Sequence, residues 1–153
     1  MKIGVISDTH NYFDPRIAGI FEGVDHILHG GDIGLPWVIM ELEAIAPVTA
    51  VLGNNDAGLD FKETEILDLS GTRLFVQHIV NISSAGDLVH ARIQKAKPHV
   101  VVFGHSHKPF SETRDGVLYL NPGYAGKPRF NLARSVAILE GSPTGFSVQF
   151  KPL

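Results

Sequence analysis

The chain contains no cysteine. Disulfides and thiolate metal sites are therefore excluded, and a reducing cytosol is compatible. Long apolar runs are missing as well: the N-terminal stretch offers only Ile3 to Ile6 before Asp8. A secretory core needs about 7–15 apolar residues and a spanning helix about 20. Neither occurs, so the expectation is a soluble cytoplasmic protein with no membrane partner. Charge of either sign is sparse, with 13 Lys and Arg against 16 Asp and Glu and a net charge of -3. Such a balance lacks the basic patch that nucleic acid requires, so no nucleic-acid binding is expected. Low-complexity segments, internal repeats and linkers are absent too, and no G-x-S-x-G nucleophile elbow sits between a strand and a helix.

What is present suits one folded unit. The 153 residues are 44% hydrophobic, enough for a real core, and the expectation is a single domain over 1–153. Short apolar runs alternate with helical patterns. "KIGVIS" reads as a strand, and Asp14-Pro15 is placed to cap and start a helix through Phe21. "DHILHG" is a second strand, "LPWVIMELEAIA" a helix with Pro36 in its first turn, and "VTAVLG" a third strand. Glu63–Leu69 and Thr72–His78 form two strands joined at Ser70-Gly71. "SAGDLVHARIQKAK" is a helix stopped by Pro98, and "HVVVFG" the next strand. Asp115-Gly116 marks a hairpin, and "SVAILEGSPTGFSVQF" another. The chain thus begins as βαβαβ and ends as an antiparallel meander, an α/β class.

In open α/β sheets ligands gather outside the carboxyl ends of the parallel strands. Asp8 and His10, Asp32, Asn54 to Asp56, His78, and His105 with His107 each follow a strand. Every piece has a plain structural explanation by itself. "SDTH" suits a cap or turn, "HGGDIG" a glycine-rich turn, "GNND" a left-handed turn, and His78 a satisfied core histidine. "GHSH" resists most, since two imidazoles at a strand end are costly to bury without partners. Together they form a set of oxygen and imidazole ligands that exceeds what one ion needs. With a carboxylate able to bridge, a binuclear site with ions about 3.5–4 Å apart accommodates them. Gly30, Gly31, Gly53 and Gly104 allow close backbone approach where the ligands converge.

The order D-x-H, G-D, G-N-x-D, H, G-H-x-H resembles the calcineurin-like metallophosphoesterase superfamily, specifically its small prokaryotic phosphodiesterase (YfcE-like) branch. The resemblance runs from Met1 to about Gly123, where "NPGY" is similar to the N-P-G-S segment of that branch. It implies a four-layer αββα sandwich, with two mixed β-sheets flanked by helices. It implies that Asp8, His10, Asp32 and His107 hold one ion, and that Asp32 bridges to a second held by Asn54, His78 and His105. Asn54, Asn55 and His105 would carry the catalysis, with Asn55 also touching substrate. The cofactors implied are two divalent metal ions, manganese foremost, with nickel, zinc or iron suited to the same donors. The reaction implied is hydrolysis of a small-molecule phosphodiester by in-line attack of a metal-bridging hydroxide. Small relatives are often homo-oligomers, and Trp37 is the candidate contact.

The chain departs from the family pattern at three places. Many members read G-N-H-D or G-N-H-E, and that histidine protonates the leaving group. Asn55 stands there instead, and an amide cannot serve as a general acid. The expected preference is therefore for diesters with good leaving groups. Members usually read H-G-H where this chain has "HIVN", so Ile79 and Val80 replace a glycine and a histidine after His78. Tyr124 stands where the branch often has serine. His90, the other histidine near that segment, falls in an expected helix. It shares a structural reading with His26, His29 and His99, of which His29 stands just before "GGD" and could support the ligands. "GYAGKP" fails the phosphate-loop pattern twice, at Asn121 and Pro128. Lys127 and Arg129 beside it could reach a phosphate but read more simply as solvated charge. Two alternatives accompany the phosphodiesterase reading: a non-catalytic interaction scaffold on the same fold, as in the retromer subunit, and a phosphomonoesterase.

Overall fold

The structure is a computed structural model that describes residues 1–84 and 86–153. Strands β1 (Lys2–Ile6), β2 (His26–His29) and β3 (Val48–Ala50) alternate with helices α1 (Ile17–Ile20) and α2 (Trp37–Glu43). The hairpin β4 (Thr64–Leu69) and β5 (Thr72–Gln77) follows, then α3 (Leu88–Ala96) and β6 (Val100–Val102). The chain closes with the hairpins β7 (Phe110–Arg114) with β8 (Val117–Asn121), and β9 (Ser135–Ser142) with β10 (Gly145–Pro152). These strands form two five-stranded sheets, ordered β10-β9-β1-β2-β3 and β4-β5-β6-β8-β7. Both sheets are mixed. β1, β2 and β3 run parallel in the first, and β5, β6 and β8 in the second.

The continuous apolar runs have a direct cause: the central strands are covered on both faces. Alternate residues of β1 and β2 divide between two cores. Ile6 and Ile27 meet Ile17, Phe21 and Leu42 of the α1–α2 layer, while Ile3, Val5 and Leu28 point to the second sheet. There they meet Leu74, Val76, Val100, Val102 and Leu120. The far face of the second sheet, Phe75, Val101 and Tyr119, takes Ile93 of α3. The layers are therefore helix, sheet, sheet, helix, as the family resemblance implies. Phe21 lies flat against β1 because Gly4 has no side chain; a Cβ there would sit 2.9 Å from its ring.

Several element boundaries differ from expectation. The helix from Asp14 is reduced to one turn beginning at Ile17. The Asp14 carboxylate instead accepts from the Arg16 N–H at 2.9 Å, holding residues 14–16 in a turn. The α2 helix is shorter at both ends. The third helix begins at Asp87, whose side chain accepts from the His90 N–H, and stops at left-handed Lys97 before Pro98. Its expected first turn includes Ala85, which lies outside the described residues. The expected terminal meander is not one sheet: β8 inserts beside β6 in parallel, and β9 crosses to pair antiparallel with β1. Both predicted tight turns hold, with positive φ at Ser70 and Gly71 and at Asp115 and Gly116. Among the described residues no helix is long and apolar enough to cross a membrane.

One buried ion pair ties the α1 entry to the start of β9. The Asp14 carboxylate, 2% exposed, accepts from Arg16 Nη2 at 2.8 Å and Arg134 Nη2 at 3.0 Å. Hydrogen bonds from the Arg16 side chain, opposed by burial and joined by the Arg16 N–H and Arg134, hold its carboxyl well below the usual range. Asp14→Asn leaves the Arg134 guanidinium buried beside a neutral group. We expect a loss of about 3 kcal/mol in urea denaturation at pH 7. The folded-state value is depressed, so this contribution is present above the ordinary carboxylate pKa and lost as pH falls through the folded one. The gap between wild type and variant should therefore narrow as pH drops below about 4.

Candidate metal centre

The loops after β1 and β2 are stitched to each other before any side chain is considered. Asp8 N–H donates to Gly31 O, His10 N–H to Asp32 O and Asn11 N–H to Ile33 O, all within 2.9 Å. The bends required put Asp8, His10 and Asp32 in the left-handed region, with φ of 56°, 44° and 55°. His105 and His107 share it at 71° and 62°. Left-handed backbone costs a non-glycine residue roughly 1–2 kcal/mol, and such strain collects at functional sites. Gly53 and Gly104 make the convergence sterically feasible. A Cβ at Gly53 would collide with the Asp32 carboxylate, and one at Gly104 with the Ser7 hydroxyl.

The two carboxylates are buried, Asp8 at 0% and Asp32 at 2% exposure. Asp8 Oδ2 accepts from Ser7 Oγ at 2.7 Å and from the His105 N–H at 3.1 Å. Its other oxygen, Oδ1, has no hydrogen-bond partner. That atom lies 3.3 Å from His107 Nε2, 3.8 Å from His10 Nε2 and 3.9 Å from His78 Nε2. Asp32 Oδ1 accepts from the Asn55 N–H, and Oδ2 from Asn55 Nδ2, both at 2.9 Å. Asp32 Oδ2 also lies 3.4 Å from His78 Nε2 and 3.7 Å from His10 Nε2. Burial works to raise the Asp32 carboxyl. The two Asn55 bonds, with His78 and His10, outweigh it and leave the group below its ordinary value.

His78 is held in one tautomer. Its Nδ1 lies 2.6 Å from Gly30 O, an acceptor only, so Nδ1 carries the proton and Nε2 presents a lone pair. That Nε2, like His10 Nε2 and Asp8 Oδ1, is buried and without a partner. Buried polar atoms are nearly always paired; here two unpartnered imidazole nitrogens lie within 3.9 Å of an unpartnered carboxylate oxygen, an arrangement that a cation would complete. Two ligand groups result: Asp8, His10 and His107, and Asp8, Asp32 and His78. Hard oxygen with imidazole nitrogen fits a divalent transition metal. Asn54 and His105 stand at the exposed rim, Asn54 Oδ1 being 3.1 Å from His105 Nδ1 and the His105 ring centroid 5.3 Å from that of His78.

The remaining histidines have local work. His29 is fully buried. Its Nδ1 accepts from the Gly31 N–H at 3.1 Å, which leaves the proton on Nε2 for the Thr9 hydroxyl at 3.0 Å. Burial first, then the neighbouring His78, pushes its pKa down to about 3, so it stays neutral. His26 bonds Thr49 across β2 and β3, His99 accepts from the Arg73 N–H, and His90 meets Gln94 on α3. Tyr124 is buried, its ring centroid 4.8 Å from that of His107, and burial raises its hydroxyl pKa. The Arg129 guanidinium lies 5.2 Å from the Tyr124 ring centroid. Trp37 Nε1 donates to Asn11 Oδ1.

Three residues, among them Asp56 of the strand-end set, take supporting roles that the sequence reading did not assign. Ser7 fixes Asp8. Asp56 accepts from the N–H groups of Ile33, Gly34 and Gly53, joining the second and third loops. Asn121, at the end of β8, donates to Gly104 O at 3.0 Å and to Ser106 Oγ at 3.1 Å, shaping the "GHSH" turn. Its signal was available, since it too follows a strand at the same sheet edge.

A family model described as the calcineurin-like phosphoesterase superfamily domain matches residues 1–143. A phosphodiesterase of Methanocaldococcus jannaschii is 32% identical over 143 residues, covering 80% of this chain and 83% of that protein. The solved structure of an archaeal phosphodiesterase superposes with a TM-score of 0.78 at 26% identity, covering 99% of this chain and 100% of that one. Vps29 of Entamoeba histolytica, solved in complex with zinc, gives a TM-score of 0.78 at 21% identity, covering 100% of this chain and 98% of that one.

Filling the orphaned ligand atoms should stabilise the fold. At a free metal concentration of 100 times Kd the linkage term is about 2.7 kcal/mol. For a chain of this size that is a rise of roughly 5–10 °C in Tm. Manganese added to metal-stripped protein in differential scanning fluorimetry should produce it, and Asp8→Ala should abolish it.

Proposed function

The chain belongs to the calcineurin-like phosphoesterase superfamily, and we propose that it hydrolyses small-molecule phosphodiesters with two divalent ions held between its strand ends. The observation that carries this reading is the set of buried, unpartnered atoms on Asp8, His10 and His78, with both imidazole nitrogens within 3.9 Å of the Asp8 oxygen. Asp8, His10, Asp32 and His107 would hold one ion, and Asp32, Asn54, His78 and His105 the other. Manganese is the expected metal, and nickel, zinc and iron suit the same donors. Bound there, the ions supply a water acidic enough to act as nucleophile and offset charge on the phosphoryl oxygens.

The chain's own groups do the positioning. Asn55 clamps both oxygens of Asp32, which fixes the carboxylate proposed to bridge. One hydrogen of its Nδ2 is spent on Asp32, and the second is available to a phosphoryl oxygen. Neither hydrogen can be given up to a leaving group. A poor alkoxide leaving group would depart unprotonated, so the enzyme should act on esters whose alcohol is acidic. Neutral His29, through Thr9 and the Gly31 N–H, keeps the first two loops in register without adding positive charge. The relative named as a phosphodiesterase supports the same substrate class. The whole chain, 1–153, is taken as one catalytic unit working in the cytoplasm.

The scaffold alternative rests on Ile79 and Val80, which replace family-typical residues after His78. Metal counting separates the two: about two ions per chain supports the enzyme, and well below that supports the scaffold. For the reaction, manganese-loaded protein should cleave a nitrophenyl phosphodiester at least about tenfold faster, in kcat/KM, than the corresponding monoester. Asn55→His should shift that ratio towards the monoester. Bound metal with no turnover of either ester would overturn the proposal.

A further inference from the structure

A cavity of about 170 Å³ shares Asn54 and His78 with the candidate metal centre and is lined as well by Leu52, Glu63, Gln77 and Ile79. An alcohol arm on a phosphate held at the centre would reach it directly. The volume is well below the roughly 300–1,000 Å³ of pockets that enclose drug-sized ligands, so the cavity encloses a compact arm more fully than a nucleoside. Leu52 and Ile79 give the cavity apolar walls. Ile79 stands at one of the positions where the chain departs from the family pattern, so this wall belongs to this sequence.

The polar side of the cavity is specific in sign. The Gln77 side-chain oxygen is already engaged by the Thr64 hydroxyl. Glu63, by contrast, makes no ion pair among the described residues. It is thus an exposed carboxylate lining the cavity, without an ion-pair partner among the described residues. Across the metal centre the charge is opposite: Arg129 lies over Tyr124, whose ring packs on His107. A diester bound between these ends meets positive charge on one side and negative charge on the other.

From this we propose that the cavity is the subsite for one ester arm and selects a compact alcohol bearing a positive charge. The inference rests on the phosphodiesterase reading above. A cationic arm gains the Glu63 carboxylate, a neutral one gains only the walls, and an anionic one is repelled.

The test uses the manganese-loaded full chain and esters sharing one nitrophenyl leaving group. One carries choline, one its uncharged tert-butylethyl counterpart, with carbon replacing nitrogen, and one thymidine. The choline ester should exceed the neutral ester by about tenfold in kcat/KM, chiefly through KM, and the thymidine ester should be the poorest. Glu63→Gln should bring the choline-to-neutral ratio near one. In parallel, calorimetry measures binding of phosphocholine and of tert-butylethyl phosphate. Should no ester turn over while phosphocholine still binds about tenfold tighter and Glu63→Gln removes the difference, the phosphodiesterase reading fails and the subsite stands. Equal rates and equal binding, or a preference that survives Glu63→Gln, overturn the subsite.

Discussion

Two carboxylates sealed from water dictate the rest of this molecule. A buried, ionised Asp8 or Asp32 is tolerable only if every lone pair is answered. The chain answers most of them itself, with Ser7 and the His105 N–H on one group and Asn55 on the other. It leaves Asp8 Oδ1 unanswered among imidazole nitrogens that are likewise unanswered. Protein dipoles alone do not complete that arrangement. A cation would, and the left-handed backbone at these residues is the kind of strain that collects at functional sites.

The bends explain how so many candidate ligands fit in so little space. Left-handed conformations at Asp8, His10, Asp32, His105 and His107 turn each side chain sharply off its strand axis. Backbone bonds between the first two loops and the missing side chains of Gly53 and Gly104 absorb the crowding. The strain is local and the compensation is distributed, which is the pattern expected of a site organised before its ligand arrives.

The four-layer architecture was implied by the family resemblance alone, whereas the convergence of the candidate ligands was legible in the sequence because it follows from strand order. Apolar runs such as Val100–Val102 mark buried strands, and whatever follows them falls at one edge. The path of the last strands was not legible. Alternation shows that β8 and β9 are strands, but no local feature of "VLYLN" or "SVAIL" says which sheet each joins; that is settled by which apolar surface is left uncovered. The start of α1 was placed too early because Asp14 looks like a cap, whereas its carboxylate is shared by Arg16 and by Arg134, 120 residues away. Asn55 was read for what it cannot donate, while its grip on Asp32 emerges only when the second and third loops are seen side by side.

The proposed ligands are divided between the sheets: Asp8, His10, Asp32 and Asn54 follow strands of one, and His78, His105 and His107 strands of the other. The ruler between the two halves is therefore made of hydrocarbon. Leu74, Val76, Val100 and Val102 meet Ile3, Val5 and Leu28 with no exposure to solvent, and such close-packed interiors barely compress. A methylene added deep in that layer, far from any ion, would wedge the halves apart. The tolerances of the chemistry are thus written partly in aliphatic side chains that never touch it.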